Sequence, residues 1–209
     1  MSKNPTALLV YWEAYGGFTA IIKSFYFWAS ILITLLCYSF WSTENDWFLI
    51  PLSGLPSLLG FALGGYGVWL SVGNPKLKKL LSLSFEKNSH HSDFLVVNAT
   101  FVHFIILQVI SFIYLLILKA NSIGKLLNYI KLNYPLNYSH CTEVVIDFLK
   151  VFAHGFGFLI FVYSIITMLA ATFAIFNIAI ITDEINKIED EDLDALLTAL
   201  LEEKEKKSK

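Results

Sequence analysis

Residues 151–182 read VFAHGFGFLIFVYSIITMLAATFAIFNIAIIT, 32 positions without an Asp, Glu or Lys. At about 1.5 Å per residue, a helix of that run reaches about 48 Å, well past the roughly 30 Å hydrocarbon core of a bilayer. Lipid offers backbone N–H and C=O groups no partner, and the run lacks the alternation of a barrel strand, so it predicts an α-helix that projects beyond the membrane or tilts in it.

Three more uncharged runs lie upstream: Ser24–Trp41 with 18 residues, Trp47–Val72 with 26 and Leu95–Leu118 with 24. A span needs about 20 residues, so each is long enough, the first only just. Trp28, Trp41, Trp47 and Trp69 fall at or near their expected interfaces, as aromatic belts do. Composition agrees, because 56% of the 209 residues are hydrophobic and the 18 Phe outnumber the 15 basic residues, more apolar surface than a soluble globule of this size can cover. The expected fold is therefore all-α: a polytopic integral membrane protein with four transmembrane helices and a C-terminal cytoplasmic amphipathic helix. Residues 1–23 form an N-terminal interfacial segment, 24–182 the transmembrane domain, and 183–209 an acidic, leucine-bearing tail. No basic n-region or small-residue cleavage pattern accompanies the first run, which reads as an uncleaved span.

Lysine sets the orientation. With four spans, the N-terminal segment, the loop holding Lys76, Lys78, Lys79 and Lys87, and the tail share one side and hold 11 of the 15 lysines. Both termini are expected in the cytoplasm, with the protein in a bacterial inner membrane. The loops carry amphipathic patterns. Ile123, Leu126, Leu127 and Ile130 suit an outer interfacial helix that turns at Pro135, and Leu77, Leu80 and Leu81 an inner one. Cys37 and Cys141 both fall toward the outer side, where a disulfide could form, although sequence fixes no distance between them.

In the tail, Leu193, Leu196, Leu197, Leu200 and Leu201 make one apolar stripe, with acids at its start and lysines at its end to suit the helix dipole. A short amphipathic helix is marginal alone in water, so the stripe is expected to dock on a cytosolic protein partner or another subunit; the alternative is a solvated tail. The second span carries Gly60, Gly64, Gly65 and Gly67. Small residues four apart let helix backbones approach closely, either within one protomer or between copies of a homo-oligomer.

Ionisable groups in a span usually mark an ion or proton path, and the four spans hold no carboxylate and no lysine. His103, Gln108 and His154 are the intramembrane polar residues singled out. His103 and Gln108 sit about 140° apart on a helical wheel, so they form no single polar stripe. They serve as interhelical hydrogen-bond partners or as pore-lining groups. His90, His91 and Asp93, and likewise His140, Cys141 and Glu143, look metal-like, but neighbours on one chain rarely hold one ion, and neither has a second half. No metal and no cofactor is expected.

There is no Arg in the chain and no basic patch at a net charge of −2, which argues against direct nucleic-acid binding. No nucleophile elbow, zinc-protease helix or phosphate loop occurs, and the longest soluble stretch is too short for a catalytic core, so an enzyme is not expected. What remains is a non-enzymatic membrane protein whose lipid bilayer, sister subunits and cytosolic partner define its role. In size, number of spans and tail, the chain resembles the four-span membrane subunit of the Kiwa antiphage defence system. That resemblance implies an oligomeric membrane sensor or effector working with a soluble partner; it carries over no functional residue. An ion-conducting effector pore is the alternative, and a colicin-type immunity protein, also similar to a compact four-span bundle, is the third reading.

Overall fold

A computed structural model describes residues 6–43, 46–72, 75–83, 91–121, 124–125, 129, 140–187, 198–199 and 202. These residues form helices, with no strand among them. In chain order they are α1 (Ala7–Tyr15), α2 (Gly17–Lys23), α3 (Phe25–Leu36), α4 (Tyr38–Thr43), α5 (Leu49–Val72), α6 (Pro75–Leu83), α7 (Asp93–Ala120) and α8 (His140–Ile185). The interfacial pattern at Ile123, Leu126, Leu127 and Ile130 falls outside the described residues. So do His90 and the whole tail stripe of Leu193, Leu196, Leu197, Leu200 and Leu201.

Three helices are long and apolar enough to cross a membrane: Leu49–Ser71, Asp93–Ala120 and Val144–Ile185. A fourth crossing is reached if the pair Ala7–Lys23 and Phe25–Leu36, bent by 43° at their junction, counts as one span. The bend has a local cause: Ser24 takes extended dihedrals and its N–H reaches back only to the Ile21 carbonyl. The run 24–41 is itself interrupted, as α3 stops at Leu36 and α4 begins at Tyr38. Across that break the Trp41 indole N–H donates to the Thr34 carbonyl at 2.8 Å, so a side chain satisfies a carbonyl at the end of α3. In the second run, Pro51 and Pro56 do not delay the helix, which starts at Leu49 and carries Pro56 within it.

The outward surfaces of these helices are apolar. Phe25 and Phe61 are 78% and 77% exposed, and Ile110, Ile113, Ile117, Phe148, Phe152, Phe173 and Phe176 are exposed too. No water-facing surface tolerates so much, and lipid requires it. The chain is thus a helical membrane protein.

The helices group into two compact units, Met1–Ser24 with Leu63–Phe104 and Met168–Lys209, and Phe25–Ala62 with Ile105–Thr167. In the first unit, Leu77 and Leu81 of α6 pack with Ile178 and Ile185 of α8, flanked by Trp69, Phe94, Val97 and Ile181. That explains the amphipathic spacing of α6: its leucines face the bundle while exposed Lys79 faces away. Lys78 donates to the Leu70 carbonyl near the end of α5 at 2.6 Å.

In the second unit, Trp41, Trp47, Phe48, Leu55, Leu115, Phe158 and Val162 form the core. Two glycines of α8 make it possible. A Cβ built on Gly155 would stand 2.9 Å from the Trp41 ring, and one on Gly157 2.9 Å from the Tyr114 ring and 3.0 Å from Leu118. Half-buried Cys37 packs on the same cluster; the side chain of Cys141 lies outside the described residues.

Gly157→Leu is expected to force α7 from α8 and lower stability in detergent by about 1–3 kcal/mol, the usual range for overpacking. Thermal unfolding of the purified variant measures this, and unchanged melting would mean the contact can be relaxed at no cost.

Candidate functional site

The four glycines of the second span lie on α5, and all four are exposed. A Cβ added at Gly60, Gly64, Gly65 or Gly67 meets nothing within 4 Å. Among the described residues they make no close helix–helix contact within the chain. The face that carries Gly60, Gly64 and Gly67 is longer than those glycines alone suggest. Ser53, Ser57, Gly60, Gly64, Gly67 and Ser71 recur at alternating intervals of four and three, and every one is exposed. The buried face of α5 runs through Pro51, Leu55 and Ala62. At about 100° per residue, the small-residue face points roughly 180° away from it. The hydroxyls of Ser53 and Ser71 donate to the carbonyls of Ile50 and Gly67 at 2.8 Å, so they do not protrude as unpaired donors.

Helix α5 also inverts the usual relation between exposure and hydropathy. Of the three long helices it has the smallest buried share and is the least apolar. A span turned mostly toward lipid is normally the most apolar of a set, because lipid-facing positions carry the hydrophobic load. The exposed face of α5 is therefore poorly matched to lipid and well shaped for another helix.

His103 lies about 15 Å along α7 at helical rise, and α1 closes over it. The Tyr11 hydroxyl and His103 Nδ1 are 2.8 Å apart, a bond whose direction depends on the imidazole tautomer. The Tyr15 ring stacks on the imidazole with centroids 3.7 Å apart at 13°. Glu13 of the same helix comes within 3.9 Å of His91 Nε2. The segment Ala7–Tyr15 is thus tied to the interior face of α7 by aromatic and polar contacts. No periodicity in the sequence pairs residues 92 positions apart.

His154 of α8 accepts a hydrogen bond on Nδ1 from the Trp47 indole N–H at 2.9 Å. Trp47 is almost wholly buried, and its ring also meets Phe158 edge-on at 5.4 Å. The bond selects the neutral imidazole that keeps its proton on Nε2. Gln108 is fully buried, and neither its oxygen nor its nitrogen finds a partner among the described residues.

Gly155 and Gly157, which hydropathy and spacing do not single out, are the glycines at which α8 packs closely on neighbouring helices among the described residues. The available signal was Gly-Phe-Gly inside an apolar run. Among the described residues no three His, Cys, Asp or Glu side chains gather as a metal site would require. A surface hollow lined by Leu49, Ile50, Leu52, Ser53 and Lys119 offers no convergent polar set. No protein-family model, curated protein or solved structure matches the chain, so its residues alone speak for its function.

Proposed function

We propose that the chain is a non-enzymatic, oligomeric subunit of a bacterial inner membrane, a sensor or effector whose copies associate through α5 and whose cytoplasmic tail docks a soluble protein. The observation that carries the first half is the small-residue face of α5, exposed along its length and turned away from its own protomer. Two such faces bring backbones close enough for dense packing, which is the main attraction left between helices in lipid. The tail stripe of leucines supports the second half from sequence alone. A defence role in the manner of the Kiwa membrane subunit fits this plan.

Four spans fit the lysines better than three. If the α1–α3 segment crosses, 11 of the 15 lysines share the cytoplasmic side; if it does not, the N-terminal lysines move across and nine remain. The ion-conducting alternative meets a difficulty when the pore is placed between subunits. His103 and Gln108, its sequence-expected lining, are 3% and 0% exposed, so they face inward within the protomer.

Gly64→Leu should weaken self-association while leaving insertion intact, because hydrophobicity rises as the close approach is lost. Sizing of the purified proteins in detergent reads this. An oligomer of unchanged size would remove α5 from the interface, and a wild-type monomer would remove the oligomer altogether.

For topology, single cysteines at positions 3 and 206, in a background of Cys37→Ser and Cys141→Ser, should both be blocked only by a membrane-permeant thiol reagent in intact cells. Opposite-side labelling of the two sites would leave three crossings.

Leu196→Asp combined with Leu200→Asp should abolish recovery of the cytosolic partner without changing membrane insertion. Burial of a leucine is worth about 1.5–3 kcal/mol, so two aspartates in the stripe are not tolerated by a docked helix. Undiminished partner recovery and function would return the tail to a solvated extension.

A further inference from the structure

The second compact unit contains polar residues that no role described so far uses. On α7, Gln108 and Ser111 are fully buried one turn apart, on the seam that also carries Leu115. On α8, Ser164 is fully buried and Thr167 nearly so; on α3, the same holds for Ser30 and Thr34. Each helix hides a polar pair at a spacing of three or four.

One member of each pair, Gln108, Ser164 and Ser30, lies within about 6 Å of a common level at helical rise. Gly157 abuts Tyr114, which sets α7 and α8 antiparallel in register. Six residues back from Tyr114 is Gln108, and six to seven on from Gly157 are Tyr163 and Ser164. On α3, the Phe27 ring meets the Tyr163 ring edge-on at 5.6 Å, and Ser30 follows one turn later.

The chemistry of this layer is lopsided. The hydroxyl of Ser30 donates to the Tyr26 carbonyl at 2.7 Å, Thr34 to Ser30 at 2.8 Å, Ser164 to Phe161 at 2.8 Å and Thr167 to Tyr163 at 2.9 Å. With those protons committed to their own helices, these groups can only accept. The Gln108 amide offers two donors and needs a donor for its oxygen, and the Ser111 hydroxyl is also unpartnered among the described residues. An unpaired amide is costly to hold in an apolar interior, so a span keeps one only where something pairs with it.

We propose that Gln108 and Ser111 form an internal water-binding site, at the level where α3 and α8 contribute Ser30 and Ser164. Water donates to the Gln108 oxygen and accepts from its nitrogen, and it reaches hydroxyl oxygens that the short serine side chains cannot bring to the amide. A bare cation suits the layer less well, because the four uncharged runs supply no carboxylate to neutralise it. The site goes beyond the proposed function and does not depend on oligomerisation.

The test is X-ray radiolytic footprinting of the intact protein in detergent, in which radicals formed from bound water label the side chains beside it. Tyr163, 5% exposed, and half-buried Phe112, one turn from Gln108, are the reporters; exposed Tyr129 is the control. The expected result is labelling of Tyr163 and Phe112 in the wild-type protein and its loss in Gln108→Leu, with Tyr129 unchanged. Ser111→Ala is the milder variant should Gln108→Leu not fold, and loss of labelling there supports the site equally. Wild-type reporters that stay unlabelled, or labelling that survives both substitutions, would overturn it.

Discussion

Between two helices in lipid, close approach replaces hydrophobic drive, and in this protein the approach is made at Gly155 and Gly157. Without side chains there, the Trp41 ring lies against the α8 backbone at Gly155 and the Tyr114 ring against it two residues on, at Gly157. Much else in the second unit follows from those two contacts. Trp41 is held where its indole N–H reaches the Thr34 carbonyl, and Tyr114 where its hydroxyl donates to the Ala153 carbonyl at 3.1 Å. Phe158, one residue beyond Gly157, then joins the core with Trp47, Leu55 and Leu115. Each contact is local, yet together they fix the register that sets Gln108 level with Ser164.

The helical, membrane-bound character of the chain was legible in its uncharged runs, because lipid leaves so few solutions for a backbone. Boundaries were legible where a charge or helix-breaking residues ended a run: α7 ends one residue past Lys119, and α5 ends at Val72, before Gly73 and Asn74 in the sequence. The interruption of the first run at Cys37 was not, since its cause is the Trp41 side chain folding back on α3, a contact that hydropathy does not encode. Nor could the start of α8 be read. The apolar run begins at Val151, whereas the helix begins at His140, because Asp147 and Lys150 sit comfortably in a helix as an exposed pair at 3.0 Å.

For the candidate site, the residue types were legible and their partners were not. His103 stood out as a polar group in an apolar helix, but its neighbours Tyr11 and Tyr15 come from a segment that looked interfacial. The glycines of α5 were conspicuous in the sequence, and their direction was not. A wheel shows which residues share a face; only tertiary packing says whether that face looks in or out. The quieter pair on α8 faces a neighbouring helix, and the more obvious set on α5 faces away.

The serine and threonine hydroxyls of the second unit have an electrostatic consequence. Ser30, Thr34, Ser164 and Thr167 each turn their hydrogen back toward a carbonyl of their own helix and leave their oxygen lone pairs facing away from that bond. A set of inward-facing oxygens produces a negative potential without any formal charge, and a low-dielectric surround hardly screens it. Around those four oxygens the interior is hospitable to the positive end of a dipole, and the buried Gln108 amide supplies N–H donors of that kind in the same unit. A preference for donors over acceptors is thereby built in by side chains that carry no formal charge.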